Sequence, residues 1–442
     1  MLTAHQAAAE IRQGIRTSEG LVTDCLKQID LRETEVQAWT FLDRTYALQQ
    51  ARAADARQRA GMPLGPLHGV PVGLKDVIDT ADMPTENGTS LHAGRQPAQD
   101  AALVTRLREA GAVLMGKTVT TELATYAPGK THNPHNPAHT PGGSSSGSAA
   151  AVAAGMIPLA VGTQTNGSTI RPAAYCGVFG YKPSFGLIPR DGVLTQSPHL
   201  DQVGLFARCI EDLALLGETL IGYSKTDAAT SARACPLLLQ TAQETPALPP
   251  RLAFLRTPLW GHVTDETARA FASLQERLGH SIGEPEFPAT AFQVMDWHRT
   301  LMEAEIAASF AREYAAGHEQ LSVSLRGQIE RGRQVLAIDY QEAVRQIPRM
   351  NACFDSIFDQ YTAIITPAVA GAAPLGLAST GNPEFCTLWT FCGMPALSLP
   401  LFRDRSGLPL GVQLVGRHGD DARLLRSARW LLAQLPGAPY QL

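Results

Sequence analysis

The stretch PGGSSSGSAAAVAAGMIPLAVGTQTNGSTIRP, residues 141–172, decides how this chain folds. Its opening proline and glycines cannot continue regular structure, and the serines at 144–146 offer hydroxyl groups to the free amides of a helix start. The alanine-rich residues 149–154 predict that helix. Residues 157–161 are typical of a buried strand, and a loop rich in Gly, Thr and Asn then leads to Ser168. Such a loop turns successive N–H groups toward one point, as an oxyanion requires.

A lysine follows another short apolar run. Residues 70–74, Val-Pro-Val-Gly-Leu, favour a strand that carries Lys75 into the interior, where an ammonium group loses its hydration. The residues alone leave two interpretations open: a neutral lysine that acts as a base, or a charged lysine held in a buried ion pair. Asp76 is not the obvious partner, because neighbouring side chains on an extended segment point to opposite faces. The buried lysine, the serine-rich turn and the loop that leads to Ser168 together suit a serine hydrolase with a lysine base.

These motifs resemble those of the amidase signature family, whose members are hydrolases with a Ser-cisSer-Lys triad. The resemblance is densest over residues 61–204, which end in the motif HLDQVG, and it returns at 393–396 and 407–414. It implies an α/β protein with the amidase signature fold, a large, mixed and twisted β-sheet covered by helices on both faces. Short apolar strands alternate with helices over residues 63–206, which agrees with a sheet of that kind.

The resemblance also implies a mechanism. Ser168 is the expected nucleophile and Lys75 the terminal base. Ser144 is the expected bridging serine, behind a cis peptide bond from Gly143. Neutral Lys75 takes a proton from Ser144, which draws one from Ser168 as it attacks an amide carbonyl, and an acyl-enzyme forms. Four backbone N–H groups are expected to form the oxyanion hole, those of Thr165, Asn166, Gly167 and Ser168.

One arginine bears on the substrate. Many relatives carry it two residues after the nucleophile, whereas here Thr169 and Ile170 intervene and Arg171 stands third. This longer spacing between nucleophile and arginine resembles that of malonamidase-like members, in which the arginine binds a substrate carboxylate. A guanidinium suits a carboxylate because it donates two parallel hydrogen bonds. The other interpretation is a structural arginine that pairs with an internal acid or carbonyl.

The expected activity is hydrolysis of a carbon–nitrogen amide bond in a small substrate, with release of ammonia or an amine. Two alternatives stay open. A glutamine-amidotransferase chain of the A type passes ammonia to a partner, although the arginine position argues against it. The second alternative is a metal-dependent amidohydrolase, because the spacing of His132, His135 and His139 could bind a metal. Their proline-rich loop, however, offers no fixed ligand face. Cys176 is expected to be a small core residue instead of a thiol nucleophile.

Composition is typical of a cytoplasmic enzyme. The formal net charge of −4 gives no basic surface for nucleic acid. The seven cysteines show no Cys-x-x-Cys spacing and indicate reduced thiols. We expect no signal peptide, no membrane span, no cofactor and no metal. A small-molecule amide is the expected partner, and a homodimer is left open.

Five segments are predicted along the chain. Helices over residues 1–60 wrap the outside, and residues 61–222 form the amidase signature core. Residues 223–250 are predicted to be a mobile connector, because they are rich in Ala, Thr, Ser and Pro. Residues 251–361 form a helical insertion or lid with a strand near its start. Residues 362–442 supply two strands and a final helix that complete the sheet.

Overall fold

The computed structural model describes residues 2–441. Its strands are β1 (Trp39–Leu42), β2 (Pro71–Lys75), β3 (Val113–Thr118), β4 (Leu159–Gln164), β5 (Phe179–Lys182), β6 (Gln202–Ala207), β7 (Leu252–Phe254), β8 (Ile282–Gly283), β9 (Ala363–Pro367), β10 (Ala396–Arg403), β11 (Pro409–Val415) and β12 (Tyr440–Gln441). Its α-helices are α1 (Ala4–Arg12), α2 (Ser18–Val36), α3 (Arg44–Arg59), α4 (Ala102–Glu109), α5 (Ser146–Ala153), α6 (Ile170–Cys176), α7 (Ile210–Leu220), α8 (Leu238–Gln243), α9 (Asp265–Leu278), α10 (Val294–Ser309), α11 (Ala311–Gly317), α12 (Val323–Gly332), α13 (Ala337–Cys353), α14 (Asp355–Phe358), α15 (Glu384–Phe391) and α16 (Asp421–Gln434).

All the strands of this described range join one mixed sheet. Their order is β1-β3-β2-β4-β6-β5-β10-β11-β9-β7-β8, with β12 beside β10. Strand β2 pairs in parallel with both β3 and β4, whereas β4 and β6 run antiparallel. The strand that ends at Lys75 and the strand that leads toward Ser168 are therefore immediate neighbours.

The sheet is covered on both faces, because neighbouring side chains along a strand are buried in different cores. On β4, Leu159 and Val161 join one core, whereas Ala160 between them joins another. The first core is covered by α4, α7, α8, α9 and α16. The opposite face packs against α2, α3 and α5 at one end and against α10, α12, α13 and α15 at the other. The predicted α/β fold, a large mixed sheet between helical layers, is confirmed.

Four short strands differ from the sequence prediction: β1, β8, β9 and β12. The region 1–60 is not only helical, because β1 pairs antiparallel with β3 and buries Trp39. Two strands were expected in the tail, but β9 lies there as well and pairs with both β11 and β7. Strands of four or five residues carry too little periodicity to be recognised alone.

The predicted mobile connector at 223–250 is wrong in its second half. Helix α8 forms there, and its Leu238 and Ala242 are completely buried. They join the core that also contains residues of α7 and α16. Two apolar residues one helical turn apart suffice to fix α8 against the protein. The five-segment division itself remains a prediction, and four of those segments contribute strands to the single sheet.

Helix α10 brings the segment 251–361 toward the centre of the molecule. It contacts α12, α13 and α15, and it buries three polar residues, His298, Glu303 and Glu305. Buried polar side chains need hydrogen-bond partners, so α10 has specific contacts as well as apolar packing. Within residues 2–441, no helix has the combination of length and apolar character that crossing a membrane requires.

Candidate active site

Lys75 ends β2 with its side chain completely buried. Its Nζ lies 2.7 Å from Ser144 Oγ and 2.7 Å from Thr163 Oγ1. The adjacent Asp76 is not a hydrogen-bond partner of this amine; its carboxylate accepts the N–H of Glu86 at 3.1 Å. The lysine side chain therefore reaches the start of α5 and the end of β4.

The Lys75 amine has no compensating carboxylate in contact. Burial lowers its pKa well below the ordinary 10.5, and the charge of Asp201 opposes this only in part. Both close contacts are hydroxyl groups, and no ion pair joins Lys75 to an acid within residues 2–441. Of the two interpretations that the residues left open, the structure favours a neutral amine, because an unpaired buried ammonium is costly.

The serine turn is attached to the loop that carries Ser168. The Gly143–Ser144 peptide bond is cis, as the resemblance implied. The N–H of Ser145 donates to the carbonyl of Ser168 at 3.3 Å. Ser145 Oγ donates to the carbonyl of Thr163 and accepts the Thr163 N–H, at 3.1 and 3.2 Å. One backbone contact thus joins the serine turn to the loop of Ser168, and the Ser145 hydroxyl joins the turn to β4.

The loop between β4 and α6 leaves a row of N–H groups unpaired. The side chain of Gln164 bridges its two ends, since Oε1 accepts the N–H groups of Thr169 at 2.8 Å and Ile170 at 3.0 Å. Four consecutive amides before them donate to no acceptor in the described part of the chain, those of Thr165, Asn166, Gly167 and Ser168. These are the predicted oxyanion-hole residues, and amides that are free to donate are what that role needs.

A buried carboxyl group supports the start of this loop. The hydroxyl of Thr165 lies 2.5 Å from Gln196 Oε1 and 2.6 Å from Asp201 Oδ1. Asp201 Oδ2 accepts the backbone N–H groups of Gln196 and Ser197. Burial raises the pKa of Asp201 to about 6. A hydroxyl has one proton, so Thr165 donates to one of these two oxygens at a time.

Arg171 lies in the interior beside the serine turn. It is 1% exposed, and its two terminal nitrogens donate to the carbonyls of Gly143 (2.7 Å) and Gly381. Its Nε has no partner, and no acid in the described part of the chain pairs with it. Burial lowers its pKa, and Tyr175, Tyr126 and Cys386 oppose this shift. The arginine therefore supports the turn through carbonyls while its positive charge stays uncompensated.

The three histidines of the metal alternative do not converge. Each ring nitrogen contacts a different carbonyl: His132 that of Pro137, His135 that of Cys176 and His139 that of Ala373. Within residues 2–441 they form no group of potential ligand atoms. These ring contacts are structural and give no support to the metal-dependent alternative. Cys176 is buried in the core beneath α5, and burial raises its pKa.

Open space lies on two sides of the loop. A cavity of about 350 Å³ is lined by Thr163, Thr165 and Asp201, among others. A second cavity of about 360 Å³ is lined by Asn166 and His298, together with residues of α12. Both volumes suit a small molecule.

Three residues of this neighbourhood were missed or given no role by sequence reasoning. Thr163 and Asp201 stand in quoted motifs, but only the fold shows what their side chains touch. His298 lies 130 residues beyond the nucleophile motif in a helix with no motif of its own. A lone histidine on a helix carries no signal that links it to a distant loop.

Comparisons with known proteins agree with this architecture. The family described as Amidase matches residues 20–425. The A-type chain of the glutamyl-tRNA(Gln) amidotransferase of Chloroflexus aggregans is 34% identical, over 96% of this chain and 94% of that protein. The structure of native peptide amidase from Stenotrophomonas maltophilia is 28% identical with a TM-score of 0.85, covering 98% of this chain and 96% of that one. A complex described as revealing the evolutionary origins of an s-triazine catabolic enzyme gives a TM-score of 0.91 at 25% identity, covering 98% of both chains.

The fold and the family match define an amide-bond enzyme. The chain belongs to the amidase family, with the amidase signature, and acts on carbon–nitrogen amide bonds.

Proposed function

We propose that this protein hydrolyses the amide bond of a small substrate through a serine acyl-enzyme in the cytoplasm. The observation that carries the proposal is the 2.7 Å contact between Lys75 Nζ and Ser144 Oγ in a buried site. Burial lowers the pKa of Lys75 well below its ordinary value, which favours the neutral amine that a base requires. The free thiols of all seven cysteines support the cytoplasmic setting.

The reaction proceeds in two stages. Neutral Lys75 accepts the proton of Ser144, which accepts that of Ser168 as its Oγ bonds to the amide carbon. The carbon–nitrogen bond then breaks, and ammonia or an amine leaves with a proton returned through the same relay. Water attacks the ester by the same route and releases the acid. The four free amides at 165–168 hold the oxyanion of both stages, and one such donor contributes about 3 kcal/mol.

The substrate that fits best carries a carboxylate. Arg171 is a buried cation without an anionic partner, and its Nε lacks an acceptor. Burying an unpaired charge is costly, so a bound anion beside the guanidinium removes a penalty that the free enzyme bears. Its bond to the Gly143 carbonyl places the guanidinium next to the serine turn. A small amide that ends in a carboxylate therefore suits the site.

The test is a panel of small amides in matched pairs, with and without a terminal carboxylate, given to the chain alone. Ammonia or amine release is measured, with Ser168→Ala as the blank for background hydrolysis. Turnover that Ser168→Ala abolishes supports the proposal, and a preference for the acidic member of each pair supports the substrate class. A chain that is inert toward every amide contradicts it.

A second candidate is a glutamine-amidotransferase chain of the A type. It is favoured by the identity of 34% with a protein of that type over nearly the whole chain. The two candidates differ in their need for a partner, because an amidotransferase chain delivers ammonia to an acceptor site elsewhere. Efficient glutamine hydrolysis only in the presence of added partner proteins favours this candidate. The oligomeric state is a separate question. The mass of the active protein in solution decides whether it is a homodimer, which the sequence left open.

A further inference from the structure

A histidine from α10 contacts the backbone of the proposed oxyanion loop. His298 is 1% exposed, and its Nε2 lies 3.1 Å from the carbonyl oxygen of Thr165. A carbonyl oxygen has no proton to give, so Nε2 carries the hydrogen of this bond. Burial lowers the pKa of His298 to about 4, which keeps the ring neutral near pH 7. This contact joins the helical segment 251–361 to the loop after β4.

Peptide geometry gives this contact a consequence. In a planar trans peptide, the C=O of one residue and the N–H of the next point in opposite directions. A fixed Thr165 carbonyl therefore sets the direction of the Asn166 N–H, one of the unpaired amides of the loop. The next two carbonyls are held as well: that of Asn166 accepts the Thr390 hydroxyl at 2.5 Å, and that of Gly167 accepts the Arg171 N–H at 2.9 Å.

We propose that His298 is a positioning residue for the oxyanion hole, and that it aims the Asn166 N–H by holding the preceding carbonyl. The proposal rests on the proposed function. Without His298, the Thr165–Asn166 peptide loses the contact that fixes its rotation, and a misdirected amide stabilises the transition state less. Ground-state binding changes less, because the oxyanion exists only after Ser168 has attacked.

The substitutions follow from the shape of the imidazole ring. His298→Gln keeps an amide N–H near the position of Nε2, whereas His298→Asn places it near Nδ1, and His298→Phe removes it. The probe is an alkyl phosphonyl fluoride, which needs no knowledge of the substrate. Ser168 Oγ bonds to phosphorus, the P–F bond breaks, fluoride leaves, and the serine proton passes through Ser144 to Lys75. The phosphonyl oxygen takes the place of the oxyanion.

We expect His298→Phe and His298→Asn to lower the labelling rate constant and kcat about 10- to 100-fold. KM should change less than about threefold, and His298→Gln should return within about fivefold of the wild-type rate. The matched control is His68→Phe. His68 is also buried, with its Nε2 3.0 Å from the Ala54 carbonyl, but it lies before β2, away from the loop. Its loss should lower Tm without changing labelling by more than about twofold.

Three results separate the possibilities. Wild-type labelling at Ser168 with equal rates for all His298 variants overturns the positioning role and leaves the proposed function intact. Equal losses in His298→Phe and His68→Phe also overturn it, because general destabilisation then explains both. A wild-type protein that is neither labelled at Ser168 nor active on any amide contradicts the proposed function itself. Should His298→Phe fail to fold, the Gln and Asn variants carry the same comparison.

Discussion

Lys75 Nζ and Ser144 Oγ lie 2.7 Å apart although 69 residues separate them in the chain. Strand β2 brings the amine to the start of α5, and neither group contacts solvent appreciably. The pair has the geometry for direct proton transfer, since its separation is that of a short hydrogen bond.

The amidase rate should rise with pH as Lys75 loses its proton. Burial keeps its pKa well below 10.5, so kcat/KM should reach its plateau at a pH well under that value. Lys75→Met should lower kcat by about 10³-fold or more, since it removes the base of the relay. A pH–rate profile of the wild type on any accepted amide measures the pH dependence, and kcat of Lys75→Met on the same amide measures the loss. Activity that is flat from pH 5 to 10 contradicts a lysine base.

The stability of the protein should also depend on pH through the lowered pKa of Lys75. The unfolded chain holds the Lys75 proton up to about pH 10.5, whereas the folded chain releases it at lower pH. The unfolded state therefore binds this proton more tightly in that window, and the contribution of Lys75 to the free energy of unfolding rises with pH across it. Lys75→Met lacks this dependence. The difference in Tm, wild type minus Lys75→Met, should increase between neutral and alkaline pH; a constant difference contradicts a depressed lysine pKa.

Ser168→Ala should abolish turnover, by about 10⁴-fold or more, because no other group can form the acyl-enzyme. Tm should change by only a few degrees, since the loop is held by its backbone and by Gln164. Mass spectrometry after treatment with a phosphonyl fluoride should find the adduct on Ser168 in the wild type. An adduct on another serine assigns the nucleophile elsewhere.

Two serines of the same turn should respond differently. Ser144→Ala should lower kcat about 10³-fold, because the relay between Lys75 and Ser168 is cut. Ser146→Ala is the matched control: this serine is also buried, but its Oγ has no hydrogen-bond partner in the described part of the chain. Removing this hydroxyl breaks no hydrogen bond, so the activity of Ser146→Ala should stay within about twofold of the wild type. Similar losses in both variants would point to a damaged turn instead of a broken relay.

Arg171→Met should discriminate between acidic and neutral amides. Loss of charge-assisted hydrogen bonds to a carboxylate should raise KM for carboxylate-bearing amides roughly 10- to 100-fold. KM for their neutral counterparts should move less than about threefold. Equal changes for both classes would assign Arg171 only to the Gly143 and Gly381 carbonyls. Arg171→Lys, which keeps the charge but not the fork, should fall between the two.

Helix α8 should be part of the folded core and not a mobile connector. Leu238→Ala should lower the free energy of unfolding by about 2–5 kcal/mol, because a fully buried leucine leaves a cavity. Leu248→Ala, in the same segment at 80% exposure, should have little effect. Urea unfolding of both variants measures the contrast. Equal stability of the two would restore the connector interpretation for residues 238–243.

The family, the kind of fold and the order of the central elements could be predicted from the sequence alone. The serine turn, α5, β4 and the glycine-containing loop are encoded by neighbouring residues, because turn chemistry, helix propensity and apolar runs act over a few positions. The fold then followed from resemblance, and the mixed sheet between two helical layers agrees with it. Short strands such as β1 and β9, and the short helix α8, were not recognised, since segments of four to six residues hold too little pattern.

Which charges are compensated and which distant groups meet became clear only from the three-dimensional fold. The sequence left Lys75 neutral or paired, and burial among hydroxyl groups favours the neutral amine. It left Arg171 with a carboxylate or an internal partner, and the fold provides two carbonyls but no acid within the described residues. The contact of His298 with Thr165 had no local signal at all. Burial, pKa and hydrogen-bond partners depend on residues brought together from far along the chain, and no short stretch of sequence contains that information.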